Sequence, residues 1–175
     1  MSIRGTASLA LATLILGACN RSTSEKTWSV SIRGYGPIHA GMTIAEATAA
    51  GGRPLTLPAP DGESCDMIGF AGDSSGAVRF MVIRGVIKRV DVYRDSTVKT
   101  MHGIHIGDPE SRVEKAYPGR VRVEPHKYED GHYLIVGPSD STDSGFEVVF
   151  ETDGKQVTQY RAGQVPEVEM VEGCS

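Results

Sequence analysis

The chain has 175 residues, 39% of them hydrophobic and 23% charged, with 22 acidic against 18 basic side chains and a formal net charge of −4. That balance excludes disorder as the main state, and the absence of a basic excess predicts no nucleic-acid partner. The 21 glycines and 9 prolines are too many for a helical bundle and predict a turn-rich, strand-dominated domain.

In chain order, the first feature is Arg4 followed by the apolar run Ala7 to Leu16. That run is about half of the ~20 residues needed to cross a bilayer, and it has the length of a signal-peptide core. It ends in Leu16-Gly17-Ala18-Cys19, which resembles the lipobox of bacterial lipoproteins. The resemblance implies removal of residues 1–18, a diacylglycerol on the Cys19 sulfur and an acylated new amine. Each buried CH₂ of such chains contributes roughly 0.8 kcal/mol, so two or three chains hold durably to a membrane. Asn20 in place of Asp at the sorting position implies the periplasmic face of the outer membrane. Residues 19–26 are polar and Ser/Thr-rich and read as a short tether.

With Cys19 lipidated, Cys65 and Cys174 remain. An oxidising compartment predicts one bridge between them, with two free thiols as the alternative. The bridge would close a loop of about 110 residues, for which chain entropy sets an upper figure near 4.7 kcal/mol. Neither cysteine belongs to a Cys-x-x-Cys pair, which argues against redox catalysis.

The body reads as one unit written twice, over 27–96 and 97–175. Ile38-His39-Ala40-Gly41-Met42-Thr43 aligns with Ile104-His105-Ile106-Gly107-Asp108-Pro109. Thr43 and Glu46 form a capping box opening a helix from Ile44 to Ala50, and Gly51-Gly52 ends it. In the second copy Asp108 is the expected cap, Pro109 suits the first turn, and Gly119 lies beyond the end. Alternating Val78, Phe80 and Val82 match alternating Phe146, Val148 and Phe150 as strands with one buried face. Arg84-Gly85 and Asp153-Gly154 are hairpin signals. Further strands are expected at Trp28 to Ile32, Met67 to Phe70, Val121 to Glu124 and Tyr133 to Val136. The C-terminal Pro166 to Cys174 alternates Val168 and Met170 with acidic residues and predicts an extended edge segment. The expected class is α+β: two tandem helix-plus-antiparallel-sheet repeats with strands dominant.

Gly41-Met42-Thr43-x-x-Glu46 before a short helix with a glycine stop resembles the repeat opening of the β-lactamase-inhibitor-protein-like fold, which includes outer-membrane assembly lipoproteins of the SmpA/OmlA type. The resemblance spans the organisation of residues 35–162 and implies a protein-binding surface on the sheets without catalysis. The inhibitor pattern closes disulfides within each repeat, whereas here one cysteine lies in each half, so the inhibitor's target is not implied. The segment from Gly103 to Cys174 also resembles small exported bacterial proteins sometimes labelled lectins.

Candidate chemistry is sparse. Gly72-Asp73-Ser74-Ser75-Gly76 matches Gly-x-Ser-x-Gly, but a nucleophile elbow needs a following helix, and a strand is expected instead. A hydrolase using Ser74 is therefore the third-ranked function. His102-x-x-His105, Asp108, His126 and His132 are zinc-ligand types, yet residues three apart on a strand face opposite ways. Asp140-x-x-Asp143 lacks the alternation of a calcium loop. No metal or other cofactor is expected. Arg79, Arg84, Lys88, Arg89 and Arg94 make the first sheet basic, while Glu147, Glu151 and Asp153 make the second acidic. These are either two solvated faces or a polarised surface that steers a partner. Arg79, Arg89, Tyr93, Glu147 and Glu151 are the candidate binding residues. The leading expectation is a lipid-anchored, non-enzymatic protein-binding or envelope-scaffold module. A carbohydrate-binding module using Trp28, Tyr35, Tyr93 or Tyr133 is the alternative, so the partner is a protein or an envelope glycan.

Overall fold

The computed structural model describes residue 1 and residues 27–57, 65–93 and 96–174. The rest of the signal segment, Cys19, the tether and Arg94 lie outside the described residues. No helix among the described residues is long and apolar enough to cross a membrane.

A three-stranded meander comes first: β1 (Val30–Ser31), β2 (Gly34–Tyr35) and β3 (Ile38–His39). The strand expected from Trp28 to Ile32 is thus much shorter, because the chain turns at Ile32 and Arg33 and pairs back on itself from Gly34. Helix α1 (Ile44–Gly51) follows, opened by the expected capping box. Glu46 N donates to Thr43 Oγ1 at 3.2 Å, and Thr43 N donates to Glu46 Oε2 at 2.8 Å. The other strands are β4 (Cys65–Ile68), β5 (Val78–Ile83), β6 (Val86–Val92), β7 (Val121–Pro125), β8 (His132–Val136), β9 (Phe146–Thr152) and β10 (Val157–Gln164). Helix α2 (Glu110–Ala116) precedes β7. The class is α+β with strands dominant.

The second helix departs from expectation at its cap. Its N-cap is Pro109, with no side-chain cap. Asp108 turns back instead, accepting from His105 N at 2.9 Å and from Arg112 Nη1 at 2.5 Å.

One antiparallel sheet of seven strands runs in the order β4-β5-β6-β10-β9-β8-β7, so β6 and β10 join the two halves edge to edge. The β5–β6 turn places Arg84 and Gly85 at φ 52° and 74°, the double left-handed turn that matches strand twist. Each segment before a helix clips onto a hairpin. Gly41 N donates to Ile87 O, Ile87 N to Met42 O, and Ile44 N to Gly85 O, at 2.8, 2.8 and 3.2 Å. In the second half, Gly107 N donates to Val157 O, Val157 N to Asp108 O, and Glu110 N to Lys155 O, at 2.8, 2.9 and 3.2 Å.

The helices cover one face of the sheet. Phe80, Val82, Val90, Val92, Leu134, Phe150, Tyr160 and Ala162 form the core there with Ala47, Val113, Ile38 and Ile104. Each large apolar side chain in it contributes roughly 1.5–3 kcal/mol on burial. A register shift in the β5–β6 pair sets Met81 opposite Arg89 and Val82 opposite Ile87. The extra residue, Lys88, changes the parity of β6, so Ile87, Val90 and Val92 all join the core while Arg89 and Asp91 point to the opposite face.

The tail crosses that opposite face. After Val165 and Pro166, joined by a cis peptide bond, it forms a 3-10 turn at Glu167–Glu169. The extended edge segment expected there does not form. Successive carbonyls of a strand point to opposite sides, whereas the tight turn aims those of Glu167, Val168 and Met170 at two arginines of the sheet. Val168, fully buried, packs with Tyr133, Ile135 and Val149.

Candidate functional site

The tail-covered face carries a cluster of charges at its centre. Arg89 and Asp91 come from β6, Arg161 from β10 and Glu151 from β9, and none is more than 5% exposed. The side chains sit together because Arg161 pairs across the ladder with Asp91, and Gly163 with Arg89. Gly163 is needed at that position. A Cβ there would lie 2.6 Å from the Cα and Cβ of Arg89, which occupies the space.

Two ion pairs organise the cluster. Arg89 Nε donates to Asp91 Oδ2 at 2.9 Å, and Arg161 Nη1 donates to Glu151 Oε1. The tail accepts three more bonds from the two guanidinium groups. Arg89 Nη1 reaches Glu167 O at 2.7 Å and Met170 O at 2.6 Å, and Arg161 Nε reaches Val168 O at 2.5 Å. Gln159 Nε2 donates to Glu151 Oε2 at 2.5 Å, and His126 Nε2 lies 3.4 Å from the same oxygen. His126 stacks on Tyr133 with centroids 4.5 Å apart. Burial raises the Asp91 carboxyl, against the pull of Arg89. Burial first, then the Asp91 charge, pushes Tyr93 up to about 12.

Cys65 and Cys174 form a disulfide, with Cα atoms 5.1 Å apart. It ties the tail's end to β4 at the far edge of the sheet. Along the way Lys88 pairs with Glu167 at 3.7 Å and Arg122 with Glu169 at 3.1 Å.

Clefts open on either side of the tail. The smaller, about 190 Å³, lies toward Met67, Tyr93 and Gln159. The larger, about 600 Å³, has an apolar floor of Ile135, Val149 and Val171 and a rim of Arg122, Glu124, Lys127 and Glu169. Arg161 and Val171 line both, so they are two parts of one surface divided by the tail. Glu147 sits between β9 and the tail. Burial raises its carboxyl, and the neighbouring Glu169 raises it further.

The five candidate binding residues therefore fall on one face but differ in access. Arg79 is the cross-strand partner of Asp91 and, like Tyr93 and Glu147, is half-buried at the margin. Arg89 and Glu151 lie under the tail, not in the solvated faces read from charge alone. Each pairs with an opposite charge inside its own half of the sheet. Asp91 and Arg161, which complete the cluster, escape a reading of the sequence because their alternation with valine and alanine looks like an ordinary solvent face. The apolar residues Val168 and Val171 in the tail are the available signal.

The other candidates are dispersed. Asp73 Oδ1 accepts from Ser75 N at 2.9 Å within a turn, and Ser74 is followed by strand β5, not a helix. His102 packs on Tyr117 with ring centroids 4.5 Å apart. His105 Nδ1 lies 2.9 Å from Asp108 Oδ2 without hydrogen-bond geometry. His132 Nδ1 is 2.8 Å from Glu110 Oε1. Asp140 caps the 3-10 turn Ser141–Asp143, and Asp143 pairs with Arg33 at 2.5 Å. Among the described residues, no three His, Cys, Asp or Glu side chains come together as a metal-holding group. Trp28 packs edge-on to Tyr35 at 5.4 Å and against Phe70 at 6.1 Å.

No family model, curated protein or solved structure matches the chain.

Proposed function

We propose that the protein is a lipid-anchored, periplasm-facing module that binds another protein of the cell envelope and performs no catalysis. Cys19 carries the lipid in this reading, and the outer membrane is the favoured location. The observation that supports binding is the large cleft beside the tail. Its apolar floor and its rim of both charge signs are the composition of a protein-recognition surface, with specificity in the polar rim. The Cys65–Cys174 bridge accords with an oxidising compartment.

The module is read as two copies of one unit, as in the β-lactamase-inhibitor-protein-like and SmpA/OmlA-type lipoproteins that it resembles. The support is the matching set of three backbone hydrogen bonds clipping each pre-helix segment to its hairpin. The sheet order adds to it, with each half contributing its last strand to the central pair. The carbohydrate-binding alternative draws on Trp28, which lines a separate cleft of about 530 Å³ while packing edge-on to Tyr35, and on Tyr133, which stacks on His126 at the wall of the larger cleft.

Affinity capture from detergent-solubilised envelope tests the reading. A specific partner is expected with the native chain and is expected to be lost with Lys127→Glu, at the cleft rim, combined with Tyr128→Ala at the exposed residue next to it. Recovery of no specific partner under several extraction conditions overturns it, and a clear hit on a glycan array moves it to the alternative. For anchoring, Cys19→Ser is expected to take up no radiolabelled palmitate.

A further inference from the structure

The geometry points to the free edge of β7 as a self-complementary interface through which two copies of this chain join their sheets. β7 is the last strand of the seven-stranded sheet. Its hydrogen bonding to β8 fixes which way each backbone group points. His126 N donates to Gly131 O, and Gly137 N donates to Arg120 O. Even-numbered residues of β7 therefore direct their N–H and C=O groups inward, and Val121, Val123 and Pro125 direct theirs outward. Among the described residues no backbone hydrogen bond outside the strands is made to these outward groups. Val123 is also 50% exposed.

An antiparallel pairing of β7 with a second β7, with its two-fold axis at Val123, uses these groups directly. Val123 exchanges two hydrogen bonds with its symmetry mate, and Val121 N–H donates to the Pro125 carbonyl of the other copy on each side. The missing N–H of Pro125 costs one bond at each end, away from the centre. Arg122 then stands opposite Glu124 of the second copy, twice, in the closely spaced non-hydrogen-bonded positions where side chains interact most. In the single copy Arg122 already bonds Glu124. Pairing re-forms that contact across the axis. Moving the two-fold axis to Arg122 or to Glu124 sets like charges directly opposite each other, which is repulsive. Charge thus selects one alignment. Val123 meets Val123 on the opposite face, which covers the exposed apolar side chain.

The interface is small, so the expected association is weak and reversible. It shares Arg122 and Glu124 with the rim of the partner cleft, but its backbone hydrogen bonds run along the outer edge of β7, so cross-linking of purified chain at Val123 reads the edge pairing without any partner.

The test uses the full chain in detergent with Val123→Cys, whose symmetry-related Cα atoms would stand about 5.5 Å apart, within disulfide reach. Mild oxidation is expected to give a covalent dimer on a non-reducing gel. Adding Arg122→Glu or Glu124→Arg to Val123→Cys is expected to cut the yield at least tenfold in each variant alone. Mixing the two variants is expected to restore it, because one edge is then all acidic and the other all basic. Val123→Pro keeps the inward bonds of β7 and is expected to sediment as a folded monomer. A Val123→Cys chain that stays monomeric overturns the proposal, as do charge variants that cross-link alone as well as they do when mixed. A monomeric Val123→Cys chain whose introduced thiol becomes shielded in envelope extract assigns the edge to a foreign strand and also overturns it.

Discussion

The two faces of the central sheet are built on different principles. The helix-covered face is apolar at its centre, with Phe80, Phe150 and Tyr160, and the hydrophobic effect holds that centre without needing particular angles. The tail-covered face buries two arginines, an aspartate and a glutamate. Their desolvation is offset only while each donor keeps its acceptor. The first face makes the sheet stable, and the second decides where the C-terminal segment lies. Three guanidinium bonds to tail carbonyls set one conformation of Glu167 to Met170 where apolar packing alone would accept several.

Mutations that treat the faces differently should separate these roles. Phe150→Ala, at the apolar centre, is expected to cost about 3–5 kcal/mol and to lower the denaturation midpoint measured by far-UV circular dichroism and by near-UV signals together. Asp91→Ala should cost a similar ~3–5 kcal/mol, because it leaves Arg89 buried without its partner. Replacing the pair, with Arg89→Met and Asp91→Leu, should instead be neutral or stabilising by up to ~4 kcal/mol. That double variant is nevertheless expected to free the tail, read as protease cleavage after Gln164 that the native chain resists. A double variant as unstable as the single one would show that the charges hold the sheet itself.

Cys174→Ser is expected to cost about 2–5 kcal/mol, the usual penalty for losing a native bridge in a small domain. Amide exchange should quicken first in residues 167–174, with the helix-covered core unchanged at low denaturant. Uniform loss of protection would contradict the division between the faces.

The smallest effect concerns Glu147. Burial, then the repulsion of Glu169, raises its carboxyl above the ordinary value. The folded chain therefore holds this proton more tightly than the unfolded chain does. Below the ordinary value both states are protonated and folding carries no penalty from this group. As pH rises through the raised value that advantage is lost. Glu147→Gln should flatten this part of the stability-versus-pH curve and raise stability at neutral pH, measured by thermal melts across that range.

Much of the apolar half was legible in the chain. Thr43 and Glu46 announce α1, Arg84-Gly85 and Asp153-Gly154 announce hairpins, and the alternating Val78-Phe80-Val82 and Phe146-Val148-Phe150 announce the core face. These are local signals, each carried within a few residues. The charged half was not legible in the same way. Arg89 and Asp91 alternate with Val90 and Val92 as a solvent face would, and the one-residue shift at Lys88 that sets their parity appears only once β5 and β6 are paired. The tail, with Val168 and Met170 spaced like a strand, forms a tight turn because its carbonyls answer to arginines about 80 residues away for Arg89 and seven for Arg161.

Capping residues, turn glycines and the period of apolar side chains determined the elements and their order, since helix ends and hairpins are satisfied by neighbours in the chain. Only the tertiary structure decided which polar side chains would lose their water. Burial of a charge depends on whether another segment arrives to cover it with matching acceptors. Here that segment is the tail, held in place by Cys65 and Cys174, two residues 109 positions apart.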